Sequence, residues 1–113
     1  MAARNPLLSA PPYPVEQALK KLGADIRTAR LRRNLTIAEV AQKIGAGPRA
    51  IADAEKGKPS TSIAVYVAML WAFDLLDQLK QVADPGKDEE GKILARAKGR
   101  SRARTSGELN NDF

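Results

Sequence analysis

The chain of 113 residues contains no cysteine and no histidine. Without thiols or imidazoles there can be no disulfide framework, no thiolate or imidazole metal site and no Cys/His nucleophile pair. Aromatic residues make up 4% of the sequence, and a single Trp is present. Nowhere do 18 apolar residues run together, and the first 22 residues hold prolines and charges where a signal sequence would carry an apolar stretch. Too few Val, Ile and Thr alternate with polar residues to build a sheet. What is left is the expectation of a soluble, cytoplasmic, all-α protein with no cofactor and no membrane association. Its length suffices for one small domain plus tails.

Charge is the positive feature. Nineteen Lys and Arg face 13 Asp and Glu, a formal charge of +6, and the sequence pI is about 9.9. Such a balance favours polyanionic partners. The excess is unevenly spread: residues 1–34 hold seven bases and two acids, 35–84 five and six, and 85–113 seven and five. Lys92, Arg96, Lys98, Arg100, Arg102 and Arg104 follow one another without an intervening acid. The flanks are basic and the middle is not.

Punctuation divides the chain into three. Residues 1–13 contain Pro6, Pro11 and Pro12 and read as a flexible arm without helix. Residues 85–113 begin after Asp84, contain Gly86, Gly91, Gly99 and Gly107, and offer few large apolar side chains, so they read as a disordered basic tail. Residues 14–84 hold nearly all the bulky aliphatics and read as five helices. The first follows Pro14 and lays Val15, Leu19, Leu22, Ile26, Ala29 and Arg33 along one stripe. Thr36 with Glu39 three residues on is a capping box, and Ile37, Val40, Ala41 and Ile44 give that second helix its buried face up to Gly45. Gly45-Ala46-Gly47 is a tight turn, Pro48 suits the first position of a third helix, and Gly57 ends it. Ser62 caps a fourth helix reaching Phe73, and a short fifth runs from Asp74 or Leu75 to Ala83.

Two short helices joined by a glycine turn form the arrangement in which one helix crosses a DNA backbone and the next enters the major groove. The run Leu35-Thr36-Ile37-Ala38-Glu39-Val40-Ala41-Gln42-Lys43-Ile44-Gly45, continued by Ile51, Glu55, Lys56 and Gly57, resembles the phage-repressor, or Cro/XRE, helix-turn-helix family. The resemblance covers roughly residues 22–83 and implies a lambda-repressor-like five-helix fold. It further implies that Arg30 and Glu55 form a partly buried structural ion pair. The family's base-reading positions correspond to Pro48, Arg49, Ala50, Ala52 and Asp53, of which only Arg49 and Asp53 can hydrogen-bond bases. Arg49 suits guanine O6 and N7, and Asp53 suits cytosine N4. The phosphate-facing set corresponds to Thr36, Ile37, Lys43, Lys56, Lys58 and Ser60. Ile37 stands where the family tends to place Gln, so one polar contact is missing.

Such modules usually pair to read half-sites about one helical turn apart, which implies a homodimer on a palindromic operator in double-stranded DNA. Trp71, Phe73, Leu75, Leu76 and Leu79 are the expected seam. The stretch Ala68-Met69-Leu70-Trp71-Ala72-Phe73-Asp74-Leu75-Leu76-Asp77-Gln78-Leu79, with Ala83-Asp84-Pro85 and the basic end, resembles the HipB-type antitoxins encoded beside HipA-like kinases. That resemblance implies autorepression and binding of a HipA-like kinase toxin or its accessory subunit. A stand-alone or phage-type regulator is the alternative to the antitoxin, and two other readings differ in class: a protein-interaction module that keeps the fold, for which the alanine-rich third helix leaves room, and an enzyme. Against catalysis, Glu39, Asp53, Glu55, Asp74 and Asp77 all have structural or capping roles open to them, with no paired carboxylates and no phosphate loop nearby.

Overall fold

The structure is a computed structural model that describes residues 5–109, with side chains as far as Ala103. The described residues are helical, with no strand among them. They comprise α1 (Pro6–Ser9), α2 (Tyr13–Arg32), α3 (Ile37–Ile44), α4 (Pro48–Glu55), α5 (Ile63–Ala72), 3-10 turns at Leu76–Gln81 and Pro85–Lys87, and α6 (Glu89–Leu109). No helix among these is long and apolar enough to cross a membrane. The chain divides into two compact units after Leu79.

In the first unit, α2 to α5 enclose one core of Ile26, Ala29, Val40, Ala41, Ile51, Ala54, Tyr66, Met69, Leu70 and Phe73. Leu22, Leu35, Ile37, Ile44, Val65, Ala72 and Leu75 pack around it. The α2 stripe is buried only from its middle onward: Val15 is exposed, whereas Ile26, Ala29 and Arg30 are buried. Arg33, expected on the apolar stripe, instead caps the core from outside. Its Nη1 donates to the Ala29 carbonyl (3.0 Å) and its Nη2 to the Phe73 carbonyl (2.9 Å), with the guanidinium over the Phe73 ring.

Each of these four helices ends on a residue in the left-handed region: Asn34 (φ 54), Gly45 (φ 76), Gly57 (φ 71) and Asp74 (φ 62). The next peptide N–H then reaches back to the final turn, Leu35 to Arg30, Ala46 to Ala41, Lys58 to Asp53 and Leu75 to Leu70. This is the Schellman closure, which satisfies helix carbonyls that would otherwise lack partners. The starts are equally defined. In α3 the Thr36 hydroxyl accepts from the Glu39 N–H (3.0 Å) while Glu39 Oε1 accepts from the Thr36 N–H (2.8 Å). In α5 the Ser62 hydroxyl accepts from the Ala64 N–H.

Three expectations change. The arm at residues 1–13 does contain a turn of helix, α1, because Pro6 sits at its start, where no N–H is required, and Asn5 caps it; residues 1–4 lie outside the described chain. The fifth helix is a 3-10 turn over Leu76–Gln81, beginning after the left-handed Asp74. The segment read as a disordered tail is α6 in the second unit, up to Leu109; residues 110–113 lie outside the described chain. Alanine, Lys and Arg favour helix without needing an apolar face, and Glu89 and Glu90 suit the positive end of its dipole.

At α2 and α4 the backbones nearly touch. A Cβ on Gly23 would stand 2.5 Å from the Ala54 carbonyl oxygen and 2.7 Å from that of Glu55, and one on Gly57 would stand 2.5 Å from the Leu19 carbonyl oxygen. Gly45, by contrast, has open space around it. Gly23→Ala is therefore expected to cost about 1–3 kcal/mol or more through overpacking. Gly45→Ala should cost about 1–2 kcal/mol, from its left-handed backbone alone. Urea unfolding of both variants checks the order; a Gly23→Ala protein as stable as the parent would contradict the close approach.

Candidate nucleic-acid interface

The position of α4 is set at its two ends. At its start, the turn Gly45-Ala46-Gly47 delivers the chain into Pro48, and no side chain caps the first turn. That end offers backbone N–H groups and the positive end of a helix dipole. At its far end, Glu55 meets α2. Arg30 Nε donates to Glu55 Oε2 at 2.6 Å, and Arg30 Nη2 to Oε1 at 3.0 Å, with the two side chains 9% and 5% exposed. Arg30 Nη1 donates to the Leu35 carbonyl (2.9 Å), in the link to α3. One guanidinium thus joins α2, the approach to α3 and the end of α4. The bonds from Glu55 outweigh burial and raise the Arg30 pKa further above its ordinary value.

Between these anchors Ile51 and Ala54 are fully buried, which leaves Pro48 and Arg49 exposed and Ala50, Ala52 and Asp53 half-buried. Arg49 is the base-capable side chain on this face without an ion-pair partner among the described residues. Asp53, expected to read bases, and Lys58, expected to touch phosphate, are brought to each other: Lys58 Nζ lies 3.2 Å from Asp53 Oδ1. The Lys58 carbonyl also accepts from the Tyr66 hydroxyl (3.1 Å), and burial pushes that phenol's pKa up. The loop after α4 is therefore fastened to α5.

The other expected phosphate positions separate. Thr36, Lys43, Lys56 and Ser60 are exposed, whereas Ile37 packs against the core and presents no polar atom. Lys43 leans over the Trp71 ring, 5.9 Å from its centre, with Nζ 3.5 Å from the Ala72 carbonyl. In the expected seam, Trp71 is 55% exposed and Leu75, Leu76 and Leu79 are half-buried. Phe73, at 1% exposed, is a core residue of its own chain and is corrected from the seam set: it belongs to the buried cluster and the Arg33 guanidinium already stands over its ring. The sequence assigned Gly23 no role of its own, and it placed Arg33 on the stripe beside Ala29 without the two carbonyls that its guanidinium bonds. An arginine at the end of an apolar stripe is itself a signal, since its stem can lie on the core while the guanidinium finds carbonyls.

Comparison with known proteins agrees with this geometry. Residues 26–75 match the helix-turn-helix family model, an XRE-type family of DNA-binding regulatory domains. The matched span starts at Ile26, in the buried half of α2, and closes at Leu75, just past the end of α5. Neither a curated protein nor a solved structure matches the chain.

Two stability outcomes follow. Arg30→Ala or Glu55→Ala should cost about 3–5 kcal/mol, because each strands a buried charge. The pair Arg30→Met with Glu55→Leu should recover most of it, measured by thermal and urea unfolding; a single variant as stable as the parent would contradict the buried pair. At the start of α3, the backbone N–H and then the hydroxyl of Thr36 hold the Glu39 carboxyl below its ordinary pKa. A carboxyl depressed in the folded state stabilises fully above its unfolded pKa and loses that contribution as pH falls through the lowered value. The stability difference between the parent and Glu39→Gln should accordingly shrink on acidification, as read from unfolding curves at a series of pH values.

Proposed function

We propose that this protein is a sequence-specific transcriptional repressor that binds a palindromic operator as a homodimer. The observation carrying this reading is α4: a helix fixed at its far end by a buried ion pair, with Pro48 and Arg49 exposed at its uncapped start. Arg49 approaches guanine from the major groove, while Thr36, Lys43, Lys56 and Ser60 meet the flanking phosphates. With Asp53 held by Lys58, base reading rests on few side chains, and a second copy supplies the missing discrimination. Trp71, exposed beside Lys43, is the natural centre of the dimer contact, with Leu75, Leu76 and Leu79 at its edge. The finer reading is the antitoxin and autorepressor of a HipA-type kinase operon, acting in the cytoplasm at the nucleoid. It rests on the likeness of residues 68–79 to HipB-type proteins.

One observation favours a second reading. Two of the five groove-facing positions of α4 are alanine, and the one acid among them is already paired, as suits a module that keeps the fold to hold a protein. Salt separates the two, because a DNA binder loses affinity steeply as salt rises. Arg49→Ala should cost about 1–3 kcal/mol of operator binding and relax one base position, whereas Lys56→Ala should weaken operator and random duplex alike. Gel shifts with both duplexes across salt distinguish them. Equal losses on both duplexes for Arg49→Ala would remove its base-reading role, and no binding to either would favour the protein-interaction module.

A further inference from the structure

The second unit holds a basic helix that the helix-turn-helix reading leaves unused. In α6, Arg96, Lys98, Arg100 and Arg102 are all exposed, and none has an acidic partner among the described residues. Lys92, by contrast, is paired with Glu89 at 3.0 Å. Asp88, Glu89 and Glu90 are confined to the helix start, where Asp88 Oδ1 accepts from the Gly91 N–H. From Lys92 to Arg104 no acid interrupts the bases.

The spacing of the four free bases sets what they can touch. Arg96 and Arg100 lie one turn apart, about 6 Å along the axis, and so do Lys98 and Arg102. At about 100° per residue the two pairs point about 200° apart, on opposite sides of the helix. An acidic protein surface meets one side of a helix. A helix lying in the major groove, about 12 Å wide against a helix diameter of about 10–12 Å, has a phosphate backbone on each side. Between the pairs, on the face that would point at the groove floor, stand Ala95, Gly99 and Ala103, all exposed. Among the described residues, nothing beyond the helix's own backbone and the chain neighbours of Gly99 lies within 4 Å of a Cβ built there, so no packing among them accounts for a glycine that weakens the helix interior.

We propose that α6 seats in the major groove of duplex DNA as a second, sequence-independent contact, with Arg96 and Arg100 on one phosphate backbone and Lys98 and Arg102 on the other. The inference rests on the reading of this chain as a DNA binder and adds to it a separate clamp that reads no bases.

The test uses the full-length chain and a random-sequence duplex, with binding followed by fluorescence anisotropy over a range of salt. Four variants are compared with the parent: Arg96→Gln with Arg100→Gln, Lys98→Gln with Arg102→Gln, all four together, and Gly99→Leu. Each neutralised phosphate contact lowers the slope of log K against log salt by about 0.9, so each pair should lower it by about 1.8 and the four by about 3.6. Gly99→Leu should weaken duplex binding several-fold with an unchanged melting temperature. Gln and Leu are good helix formers, and circular dichroism verifies that helix content is kept.

An unchanged slope in the fourfold variant would overturn the proposal. So would one pair carrying the whole change, because a single-face contact is then the answer. A fourfold variant that keeps the duplex slope but loses binding to polyglutamate or single-stranded RNA would assign α6 to another partner. If Arg49→Ala abolishes operator preference while the fourfold variant keeps its slope, only the α6 clamp fails. If the parent binds no duplex, the DNA reading fails as a whole.

Discussion

Everything in the first unit depends on how closely α2 can approach the end of α4. Two glycines, Gly23 and Gly57, let backbone meet backbone there, and the Arg30–Glu55 pair closes the same contact from the side. An ion pair removed from water gains little over apolar packing of the same volume, and its value lies in the single geometry it permits. Here that geometry includes a third bond, from Arg30 to the Leu35 carbonyl, which ties in the start of the segment leading to α3. Both helices of the helix-turn-helix are therefore referenced to α2 through one side chain.

The repeated left-handed closure carries this precision along the chain. Because Asn34, Gly45, Gly57 and Asp74 each turn the backbone back on its own helix, the links from α2 to α3 and from α3 to α4 are short, and few residues are spent between packed elements. A domain this small cannot bury much apolar surface, so wide loops would leave its core open. Arg33 and Lys58 add polar ties at the periphery, the first joining α2 to the end of α5 and the second joining the α4 loop to Asp53 and Tyr66. These ties draw on charges that the basic composition supplies in excess.

Much of this was legible beforehand, and for identifiable reasons. Caps and breakers act locally, so Thr36 with Glu39, Gly45, Pro48, Gly57 and Ser62 could be read from neighbouring residues alone. Apolar spacing placed Ile26, Val40 and Ala41 inward. What escaped depends on partners distant in sequence. Nothing adjacent to Gly23 says that the carbonyls of Ala54 and Glu55 lie over it. Asp53 and Lys58 have an obvious chemistry each, but whether they serve DNA or one another is decided by the fold of the loop between them. Phe73 looked like a seam residue because it follows Trp71, yet the two point to opposite sides of the chain's end, one into the core and one outward. The basic segment after Asp88 has no apolar face, which is why pattern reading missed a helix that rests on propensity and on acids at its start.

The asymmetry of the α4 supports has a mechanical result. Its C-terminal end is a fulcrum, clamped by Glu55, whereas the two glycines before its N-terminal end, Gly45 and Gly47, have no neighbour within 4 Å of an added Cβ among the described residues. Arg49 sits six residues from that fulcrum, about 9 Å along the axis, so a rocking motion of about 5° sweeps its Cα through about 0.8 Å. Any such tilt would displace the Arg49 backbone more than that of Ile51 or Ala54, which lie nearer the fulcrum and are buried.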